Sequence, residues 1–217
     1  CMMRLLKFTF NAFQENTYIL YDDKNQGTIQ GVIIDPGMSN LEEWEEVMEA
    51  LKAHSIDLQS IVLTHGHIDH ILGIHQLLEW KPSMPIYGHR ITQEVLNAQP
   101  DYAALFGIHL PLAPEITHFL GPGEKVRVGE ETLDILYTPG HCPGEVSFYH
   151  ASSKTLIAGD VLFYESIGRT DLPGGDLPTL LDAIREQFWP LPDDTTVYCG
   201  HGPETTLGYE KVHNPFL

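Results

Sequence analysis

Cysteine, basic side chains and long apolar runs are all scarce in this chain, and each scarcity closes off a class of protein. Three cysteines occur in 217 residues, two of them (Cys142 and Cys199) close to histidines. That is no basis for a disulfide framework, and it favours a reducing, cytoplasmic setting. No apolar run approaches the length of a membrane span, so no membrane segment is expected. Cys1, Met2, Met3 and Arg4 lead straight into a strand pattern with no secretory signal. Lysine and arginine number 12 against 30 acidic residues, a formal net charge of -18 at pH 7. Such a surface repels phosphate backbones, and no basic stripe relieves it, which argues against a nucleic-acid partner. Linkers, internal repeats and low-complexity tracts are missing as well. With 42% apolar residues the chain reads as one domain over 1–217 with a well-buried core.

What is present alternates between strand and helix patterns. Strands are expected at 4–10, 16–22 and 31–35, the last ended by the turn Asp35-Pro36-Gly37. Asn40 then caps a helix from Leu41 to about His54, whose apolar positions Leu41, Trp44, Val47, Met48 and Leu51 recur at helical spacing. A strand at 60–64 leads through a His-rich turn into a helix from about Ile71 to Trp80. Residues 92–118 contain a helix-like run, then Pro100, Pro111 and Pro114 within a mostly apolar segment, and read as an irregular excursion, a candidate lid. Strands resume at 124–128, 132–138, 145–150 and 154–159. A helix capped by Asp176 buries Leu180, Leu181, Ile184 and Phe188, and 195–199 is the final strand. Two mixed sheets flanked by helices, an α/β architecture, follow from this order.

The densest chemical signal is Thr64-His65-Gly66-His67-Ile68-Asp69-His70, at the hand-over from a strand to a helix. His65 and His67 lie two apart, so both rings can reach one ion from an extended backbone. Asp69 and His70 open the helix and point elsewhere, which suits a second ion beside the first. His141 follows a strand through Thr138-Pro139-Gly140, Asp160 ends another, and His201 follows the last within Cys199-Gly200-His201-Gly202. Each stands beside a glycine just past a strand end, where the backbone can turn a side chain toward a shared mouth. Any one alone is as readily an ordinary loop residue. Four segments repeating one design are not coincidence.

This run of His-x-His-x-Asp-His, then a lone His, a lone Asp and a final His, resembles the metallo-β-lactamase superfamily. The resemblance implies an αββα sandwich with metals at one edge of the two sheets. It implies a first ion on His65, His67 and His141, a second on Asp69, His70 and His201, and Asp160 bridging them. Asp69 and Asp160 would then serve catalysis together with a metal-held hydroxide, and no serine or cysteine nucleophile is needed. Five neutral histidines, two carboxylates, two divalent ions and a hydroxide sum to about +1, which favours a water of lowered pKa and a stabilised oxyanion. Zinc is the default for so nitrogen-rich a donor set; iron or manganese would fit the same ligands. Cys142 and Cys199 read as packing residues.

Within the superfamily, the dedicated β-lactamases of the best-known subclass have a cysteine at the position of Asp160. Flavodiiron proteins have a glutamate at that of His67, and nucleases generally carry further domains or RNA-binding arms. The chain most resembles the glyoxalase II group, especially its short single-domain bacterial members. The segments that carry this are Gly159-Asp160-Val161-Leu162-Phe163, Ile167-Gly168-Arg169-Thr170-Asp171, Cys199-Gly200-His201-Gly202-Pro203-Glu204 and Asn214-Pro215-Phe216. The implied activity is hydrolysis of a small-molecule thioester of the hydroxyacylglutathione type, with Arg169 orienting the substrate. Full-length glyoxalase II adds a C-terminal helical domain that helps hold glutathione, whereas this chain ends soon after His201, so another thiol carrier is an open alternative. Other readings are a persulfide dioxygenase with one iron on His65, His141 and Asp160, a hydrolase of another ester or lactone, and a non-catalytic metal-binding protein.

Overall fold

The computed structural model describes residues 3–24 and 27–217, so the reading of Cys1 and Met2 as the start of the chain lies outside them. One six-stranded sheet runs β1 (Met3–Phe10), β2 (Glu15–Asp22), β3 (Ile29–Ile34), β4 (Ile56–Val62), β5 (Ile86–Gly88), β6 (His118–Phe119) in spatial order. Its first three strands are antiparallel and β3 to β6 are parallel. Parallel neighbours need crossovers, and helices α1 (Leu41–Ala53), α2 (Ile74–Trp80) and α3 (Arg90–Ala104) supply them. A second sheet holds β7 (Lys125–Val128), β8 (Glu131–Tyr137), β9 (Val146–His150), β10 (Thr155–Gly159), β13 (Thr196–Cys199) and β14 (Thr205–Thr206) in that spatial order. Between β10 and β13 come the hairpin β11 (Leu162–Phe163) with β12 (Ser166–Ile167) and helix α4 (Leu177–Ala183); α5 (Leu207–His213) follows β14.

Alternation along the strands assigns the layers. Ile19, Tyr21 and Ile33 point outward into a cluster with Val47, Leu51, Ile74, Leu77 and Leu96 of the first three helices. Their neighbours Tyr18, Leu20, Val32 and Ile34 point inward and meet Val146, Phe148 and Ile157 of the other sheet. Leu156, Ala158 and Val197 face outward again, onto Leu180, Ile184 and Phe188. A period of two on both sheets therefore yields helix, sheet, sheet, helix. Each such aliphatic or aromatic side chain contributes about 1.5–3 kcal/mol by leaving water. The αββα sandwich expected from the sequence is the fold observed.

Several expectations need correction. Residues 92–118 are not an irregular excursion throughout, because 90–104 form α3, capped by His89, whose ring accepts from the Ile91 amide at 3.1 Å. Pro100 sits inside it, where a missing N–H and ring clash cost about 3 kcal/mol. Burial of Leu96 and Ala103 on one face, with Thr92 donating to the Gly144 carbonyl, holds the helix regardless. Asp69 and His70 do not open α2. They occupy a 3-10 turn, Ile68–His70, and the helix starts at Ile74. The strand expected at 60–64 is β4, ending at Val62, so Thr64 and His65 already belong to the loop. Leu41 is exposed rather than packed, and Leu181 is only half-buried. Helix α4 continues as a π-helix over Ile184–Phe188.

Candidate metal centre

Both sheets end their central strands at one edge, and the loops leaving those ends carry the seven side chains singled out by the sequence. His65 and His67 follow β4, Asp69 and His70 lie in the 3-10 turn, and His141, Asp160 and His201 follow β8, β10 and β13. A bridge between Glu15 and His201 and a bond from the Val146 amide to the Thr64 carbonyl (2.9 Å) tie the sheets together here. Glycine leaves room at two of the turns. A Cβ on Gly66 would stand 3.2 Å from the Val95 side chain of α3, which would have to give by a few tenths of an ångström, and one on Gly200 would fall on the Asp160 carboxylate and displace it.

The structure brings all seven groups together. Donor atoms of His65, His67 and His141 converge as one set, and those of Asp69, His70, Asp160 and His201 as another. His67 Nδ1 stands 3.1 Å from His141 Nε2. Asp160 Oδ2 lies between the sets, at 3.2 Å from Nε2 of His70, 3.4 Å from that of His201, 3.5 Å from that of His141 and 3.7 Å from that of His65. Asp69 Oδ2 reaches Nε2 of His201 at 3.0 Å and of His70 at 3.3 Å.

The outward ring nitrogens explain why the inward ones are free. His141 Nδ1 donates to the Arg169 carbonyl (2.7 Å), and His201 Nδ1 to the carbonyls of Phe13 (3.1 Å) and Gln14 (3.2 Å). His70 Nδ1 donates to Asp35 Oδ2 at 2.9 Å. Thr64 gives its hydroxyl proton to Asp35 and accepts from His65 Nδ1 at 2.9 Å, with Glu145 3.2 Å from the same nitrogen. A proton fixed on Nδ1 leaves a lone pair on Nε2, the second-partner logic of metal-binding histidines. Asp35, His65 and His70 also converge, but through these outward contacts, so that third group reads as a hydrogen-bond network.

Buried His65 Nε2 and Asp160 Oδ1 have no partner within the protein. An orphaned acceptor in a dry interior is costly, and these two belong to residues of the converging sets, the kind of acceptor a cation satisfies. Without cations the charges settle otherwise. Burial, with the neighbouring His70, holds His65 well below its ordinary range, and burial with His141 lowers His67 to about 4. Burial also opposes charge on His201, yet hydrogen bonds to Asp160 and Asp69 outweigh it and push the ring up to about 10. For His70 burial is likewise outweighed, by Asp69 and Asp160, and its pKa rises. Protons thus stand in for cations on His70 and His201 and not on His65 and His67.

A cavity of about 250 Å³ opens on the cluster, lined by Phe13, Tyr102, Phe106 and Leu172 together with Arg169. Arg169 is exposed and braced by Asp171 through a bidentate pair, Nε to Oδ1 at 2.6 Å and Nη2 to Oδ2 at 2.9 Å, with Nη1 uncommitted to that pair. Cys142 and Cys199 are wholly buried; burial raises both thiols, that of Cys199 to about 12. Sequence reasoning missed the supporting groups. Asp35 was visible only as a turn residue, and Glu145, whose carboxylate accepts from the Asp160 amide at 2.9 Å, gave no signal. Asp35 could have been found from its place: it ends a strand at the same edge as the histidines, with φ at +53°.

Comparison with known proteins agrees with this geometry. The profile of the metallo-β-lactamase superfamily matches residues 11–201. The chain is 37% identical to hydroxyacylglutathione hydrolase GloC of Haemophilus influenzae, over 95% of this chain and 94% of that protein. Among solved structures, the BLEG-1 B3 metallo-β-lactamase is 38% identical with a TM-score of 0.87, covering 99% of both chains. TTHA1623 in a di-iron-bound form is 33% identical with a TM-score of 0.84, over 98% of this chain and 100% of that one. The strand-end cluster, the αββα layers and these relatives agree: the chain belongs to the metallo-β-lactamase superfamily.

Proposed function

We propose that the protein is a binuclear metallohydrolase that cleaves thioesters of the hydroxyacyl type. The observation that carries the reading is Asp160 Oδ2, set within 3.2–3.7 Å of four histidine Nε2 atoms drawn from both donor sets. His65, His67 and His141 would hold one ion, Asp69, His70 and His201 the other, and Asp160 both. Bound ions would supply Lewis acidity toward a carbonyl oxygen and toward the attacking water. The nitrogen-rich donors suit zinc, and the di-iron form of TTHA1623 supports testing iron as well. A reading with one iron on His65, His141 and Asp160 would leave Asp69, His70 and His201 gathered for no purpose.

The chain's own groups then have separable tasks. Asp35, Thr64 and the Arg169 carbonyl hold His70, His65 and His141 in the tautomer that faces inward. Phe13, Tyr102 and Phe106 screen one side of the mouth from water, Phe13 meeting Phe106 edge-on at 5.6 Å. Among the described residues lining the cavity there is no serine, threonine or cysteine, so water is the nucleophile to be expected. Arg169 stands at the mouth, where its free nitrogen can take an anionic substrate group. Thioester rather than β-lactam chemistry is supported by the GloC relative and by the Gly-Arg-Thr-Asp loop. Two buried thiols suit a reducing, cytoplasmic setting.

The test is elemental analysis of protein purified without added metal, paired with turnover of S-lactoylglutathione, a neutral thioester and a β-lactam. Two ions per chain and thioester cleavage above β-lactam cleavage are expected. Inert thioesters with rapid β-lactam hydrolysis, or one iron with oxygen uptake on a persulfide, would replace this reading.

A further inference from the structure

Helix α3 has more apolar surface than the core uses. It buries Thr92, Leu96, Gln99 and Ala103, and one residue before each of these stand Ile91, Val95, Ala98 and Tyr102. In a helix that offset turns the second row about 100° from the first, onto a neighbouring face. Among the described residues, this second row is not part of the core cluster that α3 joins through Leu96 and Ala103. With Pro143 and Leu172 opposite, it lines a cavity of about 250 Å³. His67, Tyr102 and Leu172 line both this cavity and the one over the donor cluster, so the two are neighbours sharing a wall.

Charge distinguishes the two spaces. Among the described residues lining them, Arg169 is the only lysine or arginine, and it lies on the metal side. The one carboxylate of the α3 cavity is Glu94, which repels anions. Thioesters of glutathione or coenzyme A with a simple aliphatic acyl group carry their carboxylates or phosphates on the thiol half, so that half is steered toward Arg169 and away from Glu94. The acyl half is left with the apolar row of α3.

We propose that the α3 cavity is the acyl subsite, and that the substrate is a thioester with an aliphatic acyl chain longer than a lactoyl group. The inference rests on the thioester reading for its chemistry, and on α3 for its selectivity. Val95 and Ala98 form the floor along which the chain lies, and His67 marks where the cavity meets the reacting carbonyl.

Binding to the metal-loaded protein tests this without turnover. The probes are ketone analogues of 3-mercaptopropionate thioesters, with CH₂ in place of sulfur and the carboxylate kept on the thiol half, measured by calorimetry. One series lengthens the acyl side from acetyl to octanoyl, and a second lengthens the thiol side by the same number of carbons. Affinity should rise about fourfold per methylene along the acyl series until the cavity is full. The thiol series should stay flat, and Ala98→Trp, at an exposed helix position, should flatten the acyl series too. A flat acyl series in the wild-type protein, which needs no variant to read, overturns the proposal. So does a slope confined to the thiol series, or an acyl slope that Ala98→Trp leaves intact. If the acyl series behaves as expected while the matching thioesters are not hydrolysed, the subsite stands and the thioester reading falls.

Discussion

Asp35 offers the sharpest test of how the second donor set is held. Its carboxylate accepts the Thr64 amide at 2.8 Å, the Thr64 hydroxyl, and His70 Nδ1 at 2.9 Å. Asp35→Asn is nearly isosteric, yet it sets an amide NH₂ opposite two donors. His70 can relieve that clash by moving its proton from Nδ1 to Nε2, the atom that faces Asp160 at 3.2 Å. The inward lone pair is then lost. Removing such an orienting partner elsewhere costs 10- to 100-fold in metal affinity, about 1.4–2.7 kcal/mol. The expected result is that one of two ions weakens by this factor in a chelator-competition titration. The other, on His65, His67 and His141, should be much less affected. Nitrogen NMR of the His70 ring should show the proton on Nε2. Two ions at wild-type affinity, or equal weakening of both, would refute the assignment of Asp35 as the group that fixes His70.

Four further outcomes follow from the same geometry. Because His201 is raised to about 10 and His70 is raised too, whereas His67 is lowered to about 4, only one of the two ions should displace protons near pH 7. Calorimetry in buffers of different ionisation enthalpy should count them, and proton release with both ions or neither would contradict the assignment. For the metal-free protein, the raised His201 contributes stability that is complete below its ordinary value of 6.5 and is lost as pH climbs through about 10. Thermal melts between those limits should therefore fall as pH rises, and a flat profile would count against it. Asp160→Ala should lose both ions and activity together, since one oxygen faces both sets; elemental analysis showing one ion retained at full occupancy would reject the bridge. Arg169→Ala should raise KM for anionic thioesters and spare neutral ones, whereas equal losses with a lower Tm would reduce Arg169 to a brace for Asp171.

Much of the fold and the inward-facing cluster was legible because both write themselves in short-range patterns. The strand β2 alternates Tyr18, Ile19, Leu20 and Tyr21 between two faces, and the metal-type residues stand next to glycines at strand ends. The supporting groups were not legible, for a reason of distance. Glu145 meets the Asp160 amide across 15 positions, and Asp35 meets His70 across 35. A carboxylate that orients a ring through the fold has no local spacing to betray it. Asp69 and His70 were found, but placed on the wrong element, because the turn Ile68–His70 and the start of α2 at Ile74 are continuous in pattern and differ only in hydrogen bonding.

Helix α3 showed in the sequence only as a helix-like run within an irregular segment, for a different reason, one that bears on function. Two rules conflict within it: Pro100 breaks the helical hydrogen-bond ladder, and Thr92 and Gln99 stand where a core helix would carry aliphatic side chains. A sequence that violates local preference in this way has spent stability, and such violations concentrate where a surface serves a purpose other than folding. Thr92 is buried and bonds Gly144, whereas Gln99, also buried, touches the cavity wall, its amide donating to the Val95 carbonyl at 3.0 Å and its Oε1 left without a partner. Ile91, Val95 and Ala98 line the same cavity beside His67. A helix built only to pack would bury Ile91 and Val95 and would not leave a buried Gln99 oxygen unpaired. That departure is the physical ground on which the proposed acyl subsite rests.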